Sequence, residues 1–392
     1  MEILFWILLG LIIYTYIGYG VIIGIIVKLF GLSKKSNLDL KAYPPVTLFV
    51  AAYNEKDFVD IKIKNSFELD YPKDKLTHLW ITDGSDDGTP DILRKYDGVK
   101  VYHEDKRSGK TAAIHRGLQF VESSIVIFCD GNTILSKDTV KAVVKAFEDP
   151  KVGCVAGEKR IIEKNSESAS GSGEGAYWKY ESILKKLDSA LYSAVGGVGE
   201  LFAVRKELFE TVENDTILDD FVITLKIAMK GYKIKYVPEA TASETPSDNV
   251  KEELKRKIRI SAGGYQSIGR LPSLLNPFKH GVLSFQFWSR KVLRWVGVPL
   301  AMILILPLNI YLAYSNNFQL DNIFTIFLIL QSIFYFFVLL GRLLTNVNIS
   351  FKAIFLPYYI FMMNYAAIMG GIRYFKGSQS VNWERAKRAK MS

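Results

Sequence analysis

The sequence predicts an α/β domain with a mainly parallel sheet, flanked by transmembrane α-helices. The chain has 392 residues, of which 49% are hydrophobic and 23% charged. The apolar residues concentrate at both ends, while charged and turn residues fill the middle. In that middle part, short β-forming runs alternate with helix-like segments, which is the pattern of a parallel sheet with helices on both faces.

The first apolar stretch runs from Ile3 to Val27. It is long enough to cross about 30 Å of hydrocarbon. It lacks the basic start, the shorter apolar run and the cleavage site of a secretory signal, so we expect a retained helix. Lysines follow it at positions 28, 34, 35 and 41. Because positive charge favours the cytosolic side, we expect the central domain in the cytosol of an integral cell-membrane protein.

Several short runs in the middle indicate buried strands, at 46–52, 78–83, 98–103, 125–130, 152–157 and 232–240. Helix-like segments lie between them, at 56–69, 89–96, 109–122 and 136–148, and another follows at 221–230. The region 158–218 is less regular. Ligands of open α/β sheets bind beyond the carboxyl ends of the strands. Asn54, Asp83 and Asp130 end three of these strands, so we expect the active site there.

The C-terminal part mixes aromatic and basic residues over 273–295, as an interfacial helix would. Three apolar spans follow, at 296–314, 322–340 and 353–372. The predicted organisation is therefore an N-terminal helix and linker (1–42), a cytosolic domain (43–272), the interfacial helix (273–295), transmembrane helices (296–375) and a basic tail (376–392).

The number of spans conflicts with the charge of the tail. One crossing before the domain and three after it would place the tail outside, whereas its Lys and Arg residues favour the inside. We therefore expect one of the four spans to be re-entrant or interfacial, with the tail in the cytosol.

Composition also bears on partners. The net charge of +10 lies beside apolar segments, which indicates membrane lipids and not nucleic acid as the partner. The two cysteines, Cys129 and Cys154, occupy apolar strand-like runs, so we expect small buried hydrophobes and no disulfide or cysteine metal site.

Three motifs carry the chemistry. The motif DGSDDGT begins at Asp83, where the second predicted strand ends. VAAYNE begins earlier, at Val50, and FCDGNT begins later, at Phe128. Each motif alone is a good turn. As a set, in this order, they resemble family 2 glycosyltransferases, inverting enzymes with the A-type nucleotide-sugar-binding fold. The membrane-bound members include cellulose, hyaluronan and poly-N-acetylglucosamine synthases.

The resemblance implies a donor site. Tyr53, Glu55 and Asp83 would hold the base and ribose of a nucleotide sugar. Lys110, in the basic segment 106–110, would bind the diphosphate of this donor. The alternative is that the segment is a solvated loop.

The resemblance also implies a metal site. Asp130, Gly131 and Asn132 stand where the family has Asp-x-Asp, so Asp130 and Gly131 would contact the donor. Oxygens of Asp130 and Asn132 would bind Mg²⁺ or Mn²⁺. An amide replaces the second acid of the motif.

Asp219 and Asp220 precede a predicted helix. An acid at this position can cap the helix by accepting hydrogen bonds from free backbone N–H groups. The pair also matches the acidic pair of the family, whose second acid is the general base. The resemblance therefore gives catalytic roles to both residues, with Asp220 as the base that takes the proton of the acceptor hydroxyl.

Residues 255–260 stand where the processive relatives have Gln-x-x-Arg-Trp. Arg259 matches the arginine, which would contact the diphosphate. Arg256 replaces the glutamine and would also contact the donor. Ile260 replaces the tryptophan on which an acceptor sugar stacks. This departure predicts addition of one or a few sugars.

The sequence thus predicts transfer of a sugar from a nucleotide diphosphate donor, a UDP-sugar, to a lipid-linked or glycan acceptor. Two alternatives stay open. One is a processive polysaccharide synthase that exports its polymer. The other is a membrane transporter or scaffold with a degenerate nucleotide-binding domain, although the site acids are present and the apolar spans lack the charges of an ion-coupled carrier.

Overall fold

A computed structural model describes residues 1–31, 39–162, 169–245, 250–344 and 352–378. Most of the basic tail, including Trp383, Arg385 and Arg388, therefore lies outside the described residues, as do Lys34 and Lys35. The centre of the chain forms one eight-stranded sheet. Its strands are β1 (Val46–Ala52), β2 (Leu76–Asp83), β3 (Val99–Glu104), β4 (Ile125–Asp130), β5 (Ile134–Leu135), β6 (Val152–Ile161), β7 (Leu201–Arg205) and β8 (Lys233–Glu244).

The sheet has the order β3-β2-β1-β4-β7-β6-β8-β5. The first half, from β3 to β4, is parallel throughout. The second half is mixed, because β7 runs antiparallel to both β4 and β6 and the short β5 runs antiparallel to β8. The predicted mainly parallel sheet is confirmed, and it includes β5 and β7, which the sequence pattern did not separate from the loops around them.

Helices cover both faces of the sheet. They are α3 (Val59–Phe67), α4 (Thr89–Leu93), α5 (Lys110–Leu118), α6 (Thr139–Ala146), α7 (Ala169–Leu191), α8 (Asp219–Met229) and α9 (Val250–Arg270). Side chains of β1 alternate between the two faces: Phe49 packs into one core, Leu48 and Val50 into the other. Because both faces are buried, the strands are continuous apolar runs.

The irregular region 158–218 of the sequence contains α7 and β7. On the core side, Phe128 of β4 stacks on Phe202 of β7 with the ring centroids 4.7 Å apart. Cys129 and Cys154 are buried free cysteines, as predicted.

Among the described residues, four helices are long and apolar enough to cross a membrane: Glu2–Leu29, Pro277–Ser315, Ile323–Leu343 and Phe355–Phe375. The first joins α1 (Glu2–Ile13) to α2 (Tyr19–Leu29) through a π-helical turn. The second joins α10 (Pro277–Phe287) to α11 (Val298–Ser315), so the segment predicted as a separate interfacial helix continues into the next span. The others are α12 (Ile323–Leu343) and α13 (Lys352–Phe375).

Candidate active site

Two loops at the carboxyl edge of the sheet bind each other through their polar side chains. Asn54, which has a positive φ of 54°, follows β1. Its Nδ2 donates to Asp86 Oδ1 at 2.8 Å, and its Oδ1 accepts from the Asp86 amide at 3.0 Å. Asp87 accepts from the Lys56 amide at 3.0 Å. Asp86 and Asp87 therefore hold the loops together.

Asp83 is buried at the end of β2 and positions the basic segment. Its Oδ2 accepts from the amides of Ser108 and Gly109 at 2.9 and 2.6 Å. Its Oδ1 faces the Arg116 guanidinium at 3.4 Å. The segment held in this way places the Arg107 guanidinium 3.7 Å from the centroid of the Tyr53 ring.

A cavity of about 90 Å³, the small cavity, opens between these loops and β4. It brings together seven of the residues that the sequence singled out: Tyr53, Glu55, Asp83, Lys110, Asp130, Gly131 and Asn132. The lining combines an aromatic ring, carboxylates and a cation, which can stack on a ring, accept hydrogen bonds and attract an anion.

A second cavity of about 280 Å³, the large cavity, lies on the other side of Lys110 and Asp130. Asp219, Asp220, Arg256 and Arg259 line it. Lys110 and Asp130 line both cavities, and Lys110 Nζ donates to Asp130 Oδ1 at 2.7 Å. The two cavities therefore meet at this ion pair.

Asp220 of the large cavity has a perturbed pKa. Burial, and next the charge of Asp219, raise the pKa of Asp220 to about 7, although Lys110 opposes the shift. Burial alone would lower the pKa of Lys110, but the charges of Asp130, Asp219 and Asp220 outweigh it and raise that pKa. Asp219 Oδ2 is buried and has no hydrogen-bond partner among the described residues. A carboxyl group with a pKa near neutrality can exchange a proton at physiological pH.

The two arginines of α9 differ in their surroundings. The Arg256 guanidinium lies among three carboxylates, those of Glu253 at 3.1 Å and of Glu200 and Glu244 at 3.7 Å each. Arg259 lies one turn further on, and burial, followed by the charge of Arg256, lowers its pKa. Arg256 is thus part of a buried ionic network, and Arg259 faces the acids of the cavity.

The oxygen atoms around Asp130 suit a divalent cation. The Asp130 carboxylate and the Asn132 amide both line the small cavity, and both are hard donors of the kind that Mg²⁺ and Mn²⁺ prefer. Two protein ligands leave positions for the phosphate oxygens of a donor. Lys110 is hydrogen-bonded to one oxygen of Asp130, so a cation and Lys110 would compete for that carboxylate. The residues present fit such an ion.

Sequence reasoning missed several residues of the large cavity. Four such residues line it: Trp178 of α7, Glu200 just before β7, and Lys291 and Trp295 of the segment 288–297. The Trp295 ring lies close to Gly264 of α9, one turn beyond Ile260: a Cβ on Gly264 would be 2.6 Å from it. The aromatic residues of 273–295 indicated a helix at the membrane interface, but no local sequence pattern linked them to Asp219 and Asp220.

Comparison with known proteins identifies the central domain. Residues 47–212 match the sequence model of glycosyl transferase family 2. The chain is 27% identical to a poly-β-1,6-N-acetyl-D-glucosamine synthase of Staphylococcus aureus over 252 residues, 62% of this chain and 60% of that protein. It is 25% identical to the Staphylococcus epidermidis synthase over 297 residues, 71% of each chain. The alignment thus spans about 60% of the length of the Staphylococcus aureus relatives.

A solved structure has the same fold. A mannosyltransferase of Pyrobaculum calidifontis, in complex with GDP-Man and Mn²⁺, superposes with a TM-score of 0.68 at 21% identity. The superposition covers 96% of this chain and all of the other. The A-type fold predicted for the chain is therefore confirmed.

Proposed function

Because residues 47–212 form a family 2 glycosyltransferase domain, we propose that this protein transfers a sugar from a nucleoside diphosphate donor, a UDP-sugar, to a lipid-linked or glycan acceptor at the membrane. One observation carries the proposal: the small cavity and the large cavity meet at Lys110 and Asp130. A donor nucleotide in the small cavity would present its sugar at this junction. An acceptor in the large cavity would reach the sugar beside Asp220.

The residues then divide the work of an inverting displacement. Tyr53, Glu55 and Asp83 hold the base and ribose, while Lys110 and Arg259 attract the diphosphate. Asp220 takes the proton of the acceptor hydroxyl as its oxygen bonds to the anomeric carbon. The bond from that carbon to the diphosphate oxygen breaks, and attack from the opposite face inverts the configuration.

Asp219 and the metal ligands complete the site. Burial, and next the charge of Asp219, keep the pKa of Asp220 near neutrality, where a base is most effective. A divalent cation held by Asp130 and Asn132 would neutralise the departing diphosphate. The mannosyltransferase of similar fold contains Mn²⁺, which supports this assignment.

Processive synthesis of a polysaccharide is the second candidate. The Staphylococcus relatives are named synthases, and Trp178 and Trp295 line the large cavity although Ile260 replaces the expected tryptophan. An indole of this cavity would give a sugar ring an aromatic contact. Sizing the product made from labelled donor and membranes separates the candidates: long water-soluble polymer supports the synthase, and a lipid-extractable product of one or a few sugars supports the first candidate.

A panel of UDP- and GDP-sugars with Mg²⁺ or Mn²⁺ tests the proposal. We expect purified protein to release nucleoside diphosphate from one donor.

Asp220→Asn keeps the shape of the side chain but not its basicity, so transfer should fall about 10²–10⁴-fold while donor binding stays within a few-fold. Normal turnover by this variant would mean that Asp220 only caps the helix. If the wild-type protein releases no nucleoside diphosphate from any donor, the proposed activity is refuted.

A further inference from the structure

Lys291 is a cation of the large cavity that the proposed chemistry leaves without a role. It lies in the segment 288–297, and its Nζ lies 5.0 Å from the centroid of the Phe221 ring and 5.3 Å from that of the Trp295 ring. Phe221 directly follows Asp220. Lys291 and Asp220 line the same cavity.

The carboxylates near Lys291 are already bound to other cations. Arg290 pairs with Glu181 at 3.0 Å and with Asp188 at 2.8 Å. Arg294 also pairs with Glu181. Both carboxylates are thus paired with arginines, and among the described residues no ion pair involves Lys291. Lys291 therefore adds a positive charge to the lining of the large cavity.

Aromatic faces do not neutralise an ammonium group. A cation over a ring gains on the order of 0.5–2 kcal/mol. A charged partner gives stronger, charge-assisted hydrogen bonds. A half-buried ammonium held by two rings, next to two arginines, is therefore a favourable position for an anionic group of a ligand.

The shape of the large cavity indicates where that ligand comes from. Its wall includes Tyr16 of the first apolar helix and Ile360, Met363 and Asn364 of α13. Asn364 Nδ2 donates to Tyr16 Oη at 2.7 Å, so the two helices meet there. One cavity thus runs from Asp220 past Lys291 to two helices of membrane-spanning composition.

We propose that Lys291 binds the phosphate of a lipid-borne acceptor, in which a phosphate or diphosphate joins the accepting sugar to an apolar chain. The apolar chain lies toward Tyr16 and α13, the phosphate at Lys291, and the sugar hydroxyl at Asp220. This inference rests on the proposed function, since it names the acceptor class of that same site.

Binding of farnesyl phosphate and farnesol to detergent-solubilised protein tests the assignment. We expect the wild-type protein to bind the phosphate at least about tenfold more tightly than the alcohol, through a charge-assisted contact. Lys291→Met should abolish that preference and Lys291→Arg should retain it. Lys279→Met is the matched control, because Lys279 is an exposed lysine of the same apolar helix and its loss should change nothing.

Two further ligands separate the sources of phosphate. Inorganic phosphate, or dihexanoyl phosphatidylglycerol, should bind weakly and independently of Lys291. If inorganic phosphate binds as tightly as farnesyl phosphate and depends on Lys291, the site holds a free anion and the proposal is wrong. If the phosphatidylglycerol binds as tightly as farnesyl phosphate and depends on Lys291, the site binds bulk lipid headgroups. That result would also refute the binding of a lipid-borne acceptor.

Kinetics distinguish failure of this inference from failure of the proposed function. Transfer of the donor sugar to water needs the donor site but no acceptor, so Lys291→Met should retain it. Transfer to a farnesyl-diphosphate-linked sugar should lose at least about tenfold in kcat/KM, mainly through KM. Equal transfer by Lys291→Met and wild type would overturn the inference alone, whereas a wild-type protein inactive with every donor would overturn the function and leave the binding result standing.

Discussion

The carboxyl groups of Asp219 and Asp220 lie together in a largely enclosed site, and this arrangement sets what each can do. Two like charges in proximity cannot both ionise easily, so one of them holds its proton to a higher pH. Burial acts in the same direction. The pKa of such a carboxyl group is set by its surroundings, and its protonation can be followed experimentally.

The raised pKa of Asp220 predicts the pH dependence of the reaction. Below about 7 the carboxyl group is protonated and cannot accept the hydroxyl proton, so kcat/KM should fall about tenfold for each unit of decreasing pH. Above that value the profile should be level. A series of initial rates in matched buffers checks this, with the residual rate of Asp220→Asn as the control that should not follow the profile. A wild-type profile that stays level down to about pH 5 would assign the titration elsewhere.

Asn132 predicts the metal dependence. Chelation should abolish transfer, and Mn²⁺ or Mg²⁺ should restore it. Asn132→Asp adds a charged oxygen ligand, so half-maximal activity should need several-fold less Mn²⁺. Asn132→Ala removes a ligand and should need more. Titration of EDTA-treated protein with Mn²⁺ measures both, and full activity in excess EDTA would remove the cation from the mechanism.

Among the elements, the loop after β2 is where backbone geometry and ligand binding are most directly connected. Gly84 has a φ of 70°, and a Cβ there would lie 2.5 Å from Arg107 Cβ and 2.8 Å from its backbone. The loop therefore approaches the basic segment so closely that a side chain cannot fit between them. Arg107 in turn covers the Tyr53 ring of the small cavity.

Gly84→Ala should consequently weaken donor binding. Gly88 is the matched control, because its φ of 90° is also left-handed but a Cβ there meets nothing within 4 Å. Both substitutions should lower the free energy of unfolding by roughly 1–2 kcal/mol through backbone strain. Gly84→Ala should also raise the Kd for the donor nucleotide about tenfold, because Arg107 must move. Thermal unfolding and nucleotide binding measure the two effects, and identical Kd values for the two variants would contradict the argument.

The strands of the sheet show which parts of the fold and the site could be predicted from the sequence. β1, β2 and β4 are continuous apolar runs with polar residues at their carboxyl ends, so the strands and the small cavity followed from local pattern. β7 has five residues in a glycine-rich stretch and forms a strand because β4 and β6 lie on either side of it. Tertiary packing brings Trp178 and Lys291 into the lining of the same cavity as Asp220, which no local pattern reports.

For the whole molecule, the arrangement of α9 and α13 bears on membrane topology. The two helices run side by side in the same direction. A Cβ on Gly370 would lie 2.5 Å from Ser261 Cβ, one on Gly371 would lie 2.8 Å from the Tyr265 ring, and one on Gly269 would lie 2.9 Å from Tyr374 Oη. Since α9 carries Arg256 and Arg259 of the large cavity, the end of α13 lies with the catalytic domain. This packing supports α13 as the interfacial or re-entrant span.

The tail should therefore lie on the same side of the membrane as the catalytic domain. With three crossings, a reporter fused after Ser392 should read as cytosolic, in agreement with the positive charge of the tail. A reporter inserted at Asn317, in the connection between α11 and α12, is the control and should read as external. External labelling of the tail would mean that all four apolar helices cross.

The ion pair between Lys110 and Asp130 has a thermodynamic consequence for how ligands load. A diphosphate bound at Lys110 would draw this side chain away from Asp130, and a cation bound at Asp130 would draw the carboxylate away from Lys110. The first ligand to bind would therefore separate the ion pair, and the second ligand would bind more tightly. Because such coupling is reciprocal, the factor by which the cation tightens nucleotide binding equals the factor by which the nucleotide tightens cation binding. The ligand-free protein would bind the cation alone or the nucleotide alone weakly, and would bind the two together more tightly.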